Sequence, residues 1–317
     1  MSKTFSSFKT NKTKIPEPRA QSDGETPSSL PAISCNSYHM FDEIYQSIEL
    51  LTFILLLLSI GFVTYGLWKL SSRFLNRYPL LRHTMSKLFR SGRVLLYRCT
   101  RRTEILVIGD SHARVFDNAK FKHAFPQYFF NVVSISGASA SGLENPNSKT
   151  QTLPIIMANL SSSKANIVIA LLGEVDAGFV IWYRAEKHHS PLTTTFDKAV
   201  HNYQNLLCKI AERSRTICIS APLPTIQDGN DWGKVANERR HVKATQLQRT
   251  ELTLEFNQRI QAFCKANAIE YIPLDQESLG KDGLINPYLL NPDTNDHHYN
   301  ESKYADLIIG KLAQLLK

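Results

Sequence analysis

The sequence predicts an α/β body, a parallel sheet covered by helices on both faces, preceded by one membrane-crossing helix. Three observations carry this. From residue 104 onward, short apolar runs rich in β-branched residues alternate with longer amphipathic stretches, the pattern of strands and helices in turn. Polar, glycine-containing landmarks follow several of these runs, where α/β sheets build their sites. A charge-free apolar stretch, Leu50 to Trp68, stands well before the body.

Taken in order, residues 1–47 hold four prolines, five basic and five acidic side chains and no hydrophobic periodicity. Such a composition buries too little apolar surface to fold and is expected to be a mostly disordered tail. Asn11-Lys12-Thr13 matches the glycan-acceptor triplet, which is short enough to arise by chance.

Residues 48–69 are expected to form the transmembrane helix. Nineteen residues of helix, Leu50 to Trp68, span about 28 Å, enough for a tilted or slightly thinned crossing. Only Thr52, Ser59 and Thr64 interrupt the apolar surface, so the polar stripe of a core helix is missing, and Tyr65 and Trp68 fall where interfacial aromatics sit. The stretch starts too far into the chain for a signal peptide.

Residues 70–103 form a basic juxtamembrane segment. Lys69 to Arg102 carries ten Lys or Arg and no acid, which leaves 27 basic against 28 acidic residues elsewhere. The net charge of +9 is therefore a membrane-surface feature and not the footprint of a nucleic-acid groove. Leu81, Met85, Leu88, Phe89 and Leu96 fall near one helical face, as in a helix lying on anionic lipid; a solvated linker is the plainer reading. Ser28 to Ser47 has no Lys or Arg while Lys69 to Arg90 has six. The positive-inside rule then places the C-terminal body in the cytoplasm, on a single-pass membrane protein. The five cysteines show neither metal-ligand nor disulfide-like spacing and read as small buried hydrophobes.

Residues 104–317 form the body. Ile105 to Ile108 reads as a buried strand, and Ala113 to His123 as the helix after it. Further strands are expected over Tyr128–Ile135, Ile167–Leu172, Thr216–Ser220 and Ile269–Ile272. Helices are expected around Thr150–Leu160, Ala199–Arg213 and His241–Ala266, and through Tyr304, Leu307, Ile308, Leu312 and Leu315.

Between the first strand and its helix stands Gly109-Asp110-Ser111-His112. A serine at such a turn presents its hydroxyl at the carboxyl end of the strand, beside backbone N–H groups free to stabilise a negative oxygen. Gly-Asp-Ser alone is a weak motif, for which a helix cap is a commoner reading than a nucleophile. The other landmarks are Ser134 to Ser139, Gly173-Glu174-Val175-Asp176, and Asp293 to Asn300, just before the closing helix.

Taken together these blocks resemble the SGNH (GDSL-type) hydrolase superfamily, over roughly residues 104–317. Gly109-Asp110-Ser111 is similar to the first block, Gly137 to the glycine of the second, Gly173-Glu174-Val175-Asp176 to the third and His298 to the histidine of the last. The resemblance implies a three-layer α/β/α, flavodoxin-like parallel sheet. It also implies a serine esterase in which Ser111 attacks an ester, His298 is the base, and Asp296 or Asp293 orients it. The N–H groups of Ser111 and Gly137 would receive the oxyanion. Substrates of the superfamily are commonly O-acyl groups, including acetyl esters on carbohydrate, and no cofactor is implied.

Two blocks depart from the pattern. Glu174 replaces the asparagine that donates to the oxyanion, in a Gly-Glu-x-Asp variant of the third block. Asn295 occupies the position three before His298 where the acid usually stands. Glu174 is expected to bind a substrate hydroxyl or a basic side chain such as Arg184. Arg239, Arg240 and Arg249 are candidates to hold an anionic group, although a solvated helix face is the commoner reading; Trp182, Tyr183 and Arg184 could line a sugar site or pack against the sheet. His188-His189 and His297-His298 lack a closed ligand set, so no metal is expected. The alternatives are a catalytically silent carbohydrate-binding or assembly module, or an O-acyltransferase using the same serine. Expected partners are an acylated small molecule or glycan and membrane lipid, with no nucleic acid.

Overall fold

The computed structural model describes residues 102–229 and 242–316, with Gly92, Tyr97 and Thr100. The expected tail, the Leu50–Trp68 helix, nearly all of the basic segment, Arg239 and Arg240 lie outside the described residues. Among the described residues no helix is long and apolar enough to cross a membrane.

Five parallel strands form one sheet in the order β2-β1-β3-β4-β5. They are β1 (Thr103–Gly109), β2 (Tyr128–Ser134), β3 (Ile167–Leu171), β4 (Arg215–Ile219) and β5 (Glu270–Ile272). This is the flavodoxin-like order, in which the direction of winding reverses between β1 and β3 and opens a crevice at their carboxyl ends. β1 pairs along its length with β2 and, from Ile105 on, with β3, so its side chains are buried on both faces. That burial is why it reads as a continuous apolar run. Alternate residues feed two cores: Leu106 and Ile108 one, Ile105 and Val107 the other. Each such side chain contributes about 1.5–3 kcal/mol when fully buried.

Connections between parallel strands must cross over a face, and the helices do so. On the Leu106 face lie α2 (Thr152–Ser162), α3 (Ile181–His188), α4 (Leu192–Ala211) and α5 (Gln246–Ala266). α5 begins with a capping box: the Thr245 hydroxyl accepts from the Gln248 N–H, and the Gln248 side chain accepts in return from the Thr245 N–H. On the Ile105 face lie α1 (Ala119–Ala124) and α7 (Glu301–Leu315), with the one-turn α6 (Asp275–Ser278) between β5 and the closing segment. The layers are thus helix, sheet, helix. Cys218 and Cys264 are buried in the first core as free thiols.

The expected helix over Ala113–His123 takes a different form. Ser111–Asp117 is a 3-10 helix, and only Ala119–Ala124 is α. Two side-chain caps produce the break. Asp110 accepts from the His112 N–H, and Asn118, itself in an extended conformation, accepts from the Lys120 N–H and restarts the chain. The nucleophile candidate therefore heads a short 3-10 turn and not an α-helix. Its own N–H remains at the turn's start, without the dipole of a long helix behind it.

Candidate active site

The crevice between the carboxyl ends of β1 and β3 collects most of the landmarks. β1 can run so close to β3 only because residue 109 is glycine: a Cβ there would stand 2.3 Å from the Leu171 carbonyl oxygen. Immediately beyond it the Asp110 N–H donates to that same carbonyl, which fixes the turn. Ser111 then emerges half-buried at the sheet edge.

His298 arrives from the far end of the chain, in the loop before α7. Its Nε2 lies 2.8 Å from the Ser111 hydroxyl oxygen, and its Nδ1 lies 2.5 Å from Asp296 Oδ1. The same Asp296 oxygen accepts from the His298 backbone N–H at 3.0 Å. Serine, imidazole and carboxylate form one contact chain, the arrangement that a base-activated nucleophile requires. Of the two candidate acids, Asp296 is the one whose carboxylate meets the His298 ring. Asp293 is exposed and caps its own turn, accepting from the Asn295 N–H. At this two-residue spacing one carboxylate oxygen meets both the backbone N–H and the ring of His298. Asp296, His297 and His298 offer ligand-type atoms within 4.8 Å of one another, two of them already joined by the Asp296–His298 hydrogen bond.

Electrostatics suit His298 to act as a base. Burial, and then the His112 ring beside it, pull its pKa below the ordinary histidine value, while Asp296 and Glu174 oppose the shift. The shift favours the neutral ring, the form that can accept a proton. Burial raises the pKa of Asp296, but hydrogen bonds from His298 and the two neighbouring imidazoles outweigh it and hold the carboxyl below its usual range.

The loop carrying His298 is braced from β4. The Thr225 hydroxyl donates to the His297 carbonyl, and the Tyr299 hydroxyl accepts from the Leu223 N–H. Residues 221–226 are buried throughout although irregular; their packing ties the end of β4 to the base.

On the other flank, Gly137 sits at φ +72° in the turn closed by the Ala138 N–H and the Ile135 carbonyl. The left-handed conformation in the second central position is what a type II turn demands, hence glycine. The following 3-10 turn, Ala140–Gly142, is held by three side chains. Asp176 accepts from the N–H groups of Ala140 and Ser141 at 2.6 and 2.9 Å. Asn202 donates to the Ala140 carbonyl and Arg184 to the Ser141 carbonyl. Burial pushes the Asp176 pKa up to about 6, against the hydrogen bonds from Ser141 and Ala140, so it is mostly ionised at neutral pH. The wall that carries Gly137 is thus fixed from behind.

The expected substrate-binding residues are placed unevenly. Glu174 is 4% exposed, opens the helical turn after β3, and is close enough to influence both His298 and Tyr299. Arg184 braces the Ser141 carbonyl and adds its charge near Asp176. Arg249 is buried and donates to the Ile226 carbonyl and Asp228, so it lies on no solvated helix face. Trp182 donates its indole N–H to the Ala177 carbonyl and packs on the core, whereas Tyr183 is 38% exposed and stacks on Phe179. His188 and His189 lie exposed at the end of α3.

Sequence reasoning missed the Asp176 clamp, the Thr225 brace and the partner of His112. The first two join residues far apart in the chain and leave no local signal. The third was visible: Asp-x-His occurs at 110–112 and again at 296–298.

No family model matches the sequence, nor does any curated protein. Solved structures do. The chain is similar to a GDSL-like lipase from Bacteroides thetaiotaomicron, at 16% identity over 67% of this chain and 87% of that one, with a TM-score of 0.43. It is similar to an acetyl xylan esterase at 13% identity over 68% and 100% of the two chains, TM-score 0.43. A carbohydrate acetylesterase from Sinorhizobium meliloti gives 14% identity over 68% and 100%, TM-score 0.43.

Proposed function

We propose that this chain is a serine esterase of the SGNH type that removes small O-acyl groups from a carbohydrate or related polyol at a membrane surface. The observation that carries the proposal is the contact chain Ser111–His298–Asp296, at 2.8 and 2.5 Å, assembled from residues at opposite ends of the body.

The chemistry follows from these groups. Neutral His298 takes the proton of the Ser111 hydroxyl as its oxygen attacks the ester carbonyl, and Asp296 stabilises the imidazolium. The tetrahedral oxygen receives the N–H groups of Ser111 and Gly137, the latter on the wall fixed by Asp176. Collapse expels the alcohol with the proton from His298 and leaves an acyl-Ser111. A water, deprotonated by His298, then attacks the acyl carbon and releases the carboxylic acid. An assembled nucleophile, base and acid argue against the silent-module reading.

Glu174 beside the base supports a polyol substrate. A buried carboxylate is a fixed acceptor for a sugar hydroxyl, and two backbone donors leave the oxyanion served without it. The small-acyl preference rests on the four-block resemblance. Attachment to the membrane through residues 48–69, with the body in the cytoplasm, rests on hydropathy and on the basic excess after the anchor.

The test is hydrolysis of a short-chain aryl ester by the full chain in detergent. The natural protein should turn it over and Ser111→Ala should not, with both showing the same cooperative melting. Undiminished turnover by Ser111→Ala would overturn the assignment.

A further inference from the structure

Asp110-Ser111-His112 repeats, on the other side of the nucleophile, the local geometry of Asp296-His297-His298. In each unit one aspartate oxygen accepts from both the backbone N–H and the ring Nδ1 of the histidine two residues on. The distances are 2.8 and 3.1 Å at Asp110, and 3.0 and 2.5 Å at Asp296. The first unit is sealed: Asp110 is wholly buried, and the His112 side chain is 2% exposed. Its ring lies 4.7 Å from that of His298, centroid to centroid, and tilted 56°. His297 closes on His298 at 4.2 Å, and His112 and His297 stand 6.1 Å apart, edge to face. Three imidazoles share one small volume around the base. Capping of the 3-10 turn does not require this, because the cap bond goes to a backbone N–H that any residue at 112 supplies.

We propose that His112, held by Asp110, is a positioning residue for His298: it backs the ring that presents Nε2 to Ser111 and sets a second imidazole against it. The inference rests on the esterase reading above and assigns a residue that reading does not use.

The argument is steric and electrostatic. A ring tied to a buried carboxylate cannot turn aside, so it is a fixed wall for its neighbour. The His112 ring stands 4.7 Å from that of His298, centroid to centroid, so a proton on one imidazole disfavours a second on the other. The groups facing His298 are Asp296 and His297 on its own loop, Asp110 and His112 from the β1 exit, and Glu174 from the β3 exit. Asp296 and Glu174 attract an imidazolium at 298, while His112 repels it. With burial added, the balance falls on the neutral side.

The experiment compares the natural full chain in detergent with His112→Gln, which keeps a polar side chain and removes the ring. Two quantities are measured against pH: kcat/KM for the aryl ester, and the midpoint of the His298 ring by NMR of 13C-histidine-labelled protein. Removal of a repelling charge raises the pKa of His298. Its midpoint and the acid limb of kcat/KM should therefore move together to higher pH, by about half a unit or more. Equal His298 midpoints in the two proteins overturn the inference. If neither protein hydrolyses the ester, the esterase reading fails, and the ring midpoints still decide this one. If His112→Gln does not fold, the natural protein decides. Coupled rings titrate in mutually dependent steps, and independent single-step curves overturn the proposal.

Discussion

The two Asp-x-His turns are one piece of local geometry set in two environments. Around Asp296 the carboxylate and ring are partly open to solvent, with side-chain exposures of 44% and 28%, and Nε2 meets a hydroxyl. Around Asp110 both partners are sealed beneath the nucleophile. The motif itself fixes only which ring nitrogen carries the hydrogen, because Nδ1 must donate to the carboxylate. Whether the ring then acts as a base or as a wall is decided by what faces Nε2 and by access to substrate.

The largest test of that difference is deletion of each ring. His298→Ala should lower kcat/KM by about a thousandfold or more, and Ser111→Ala combined with it should cost little further, because residues acting as one unit are not additive. Comparing the single and double variants on the aryl ester checks this. Additive losses would separate the base from the nucleophile.

Next come the acids. Asp296→Asn should lower kcat by roughly a hundredfold to ten-thousandfold with little change in melting temperature, since it spoils the tautomer and charge of a partly exposed dyad. Asp110→Asn should act the other way round, lowering stability first. It weakens a buried pair and a cap together, at a cost of about 2 kcal/mol or more. Denaturant titration beside kinetics checks both. Equal profiles for the two variants would mean that the units do not differ in role.

A smaller effect is expected at Glu174. Glu174→Gln should raise KM for an acylated sugar several-fold more than it lowers kcat, which marks binding in place of chemistry. It should also carry the acid limb to lower pH, because the carboxylate that favours protonated His298 is gone. A collapse in kcat at unchanged KM would assign Glu174 to the oxyanion. The smallest effect belongs to His297→Ala, less than about tenfold: Thr225 holds residue 297 by its carbonyl, which the substitution keeps.

Much of this was legible in the sequence, for identifiable reasons. The four main strands were placed to within one or two residues because burial on both faces demands uninterrupted apolar runs such as Ile105–Ile108. The blocks pointed to Ser111 and His298, whose side chains the structure brings together. They left Asp296 and Asp293 both open, since each is near His298 in sequence. Only geometry shows that a two-residue spacing lets one oxygen serve backbone and ring. The turn after Ser111 looked helical because its apolar spacing is helical, and the caps at Asp110 and Asn118 broke it into a 3-10 turn and a short α-helix. The Asp176 clamp joins partners 35 and 36 residues away, a distance over which side-chain type carries no pairing signal.

The central claim is that Ser111 is a nucleophile activated by His298. A fluorophosphonate probe measures this directly, because it forms a bond only with an activated hydroxyl. Incubated with the full chain in detergent and followed by peptide mass analysis, the probe should label one residue, Ser111. Labelling should be lost in Ser111→Ala and slowed by about a hundredfold or more in His298→Ala. Labelling at another serine, or at Ser111 with the same rate when His298 is absent, would contradict the account.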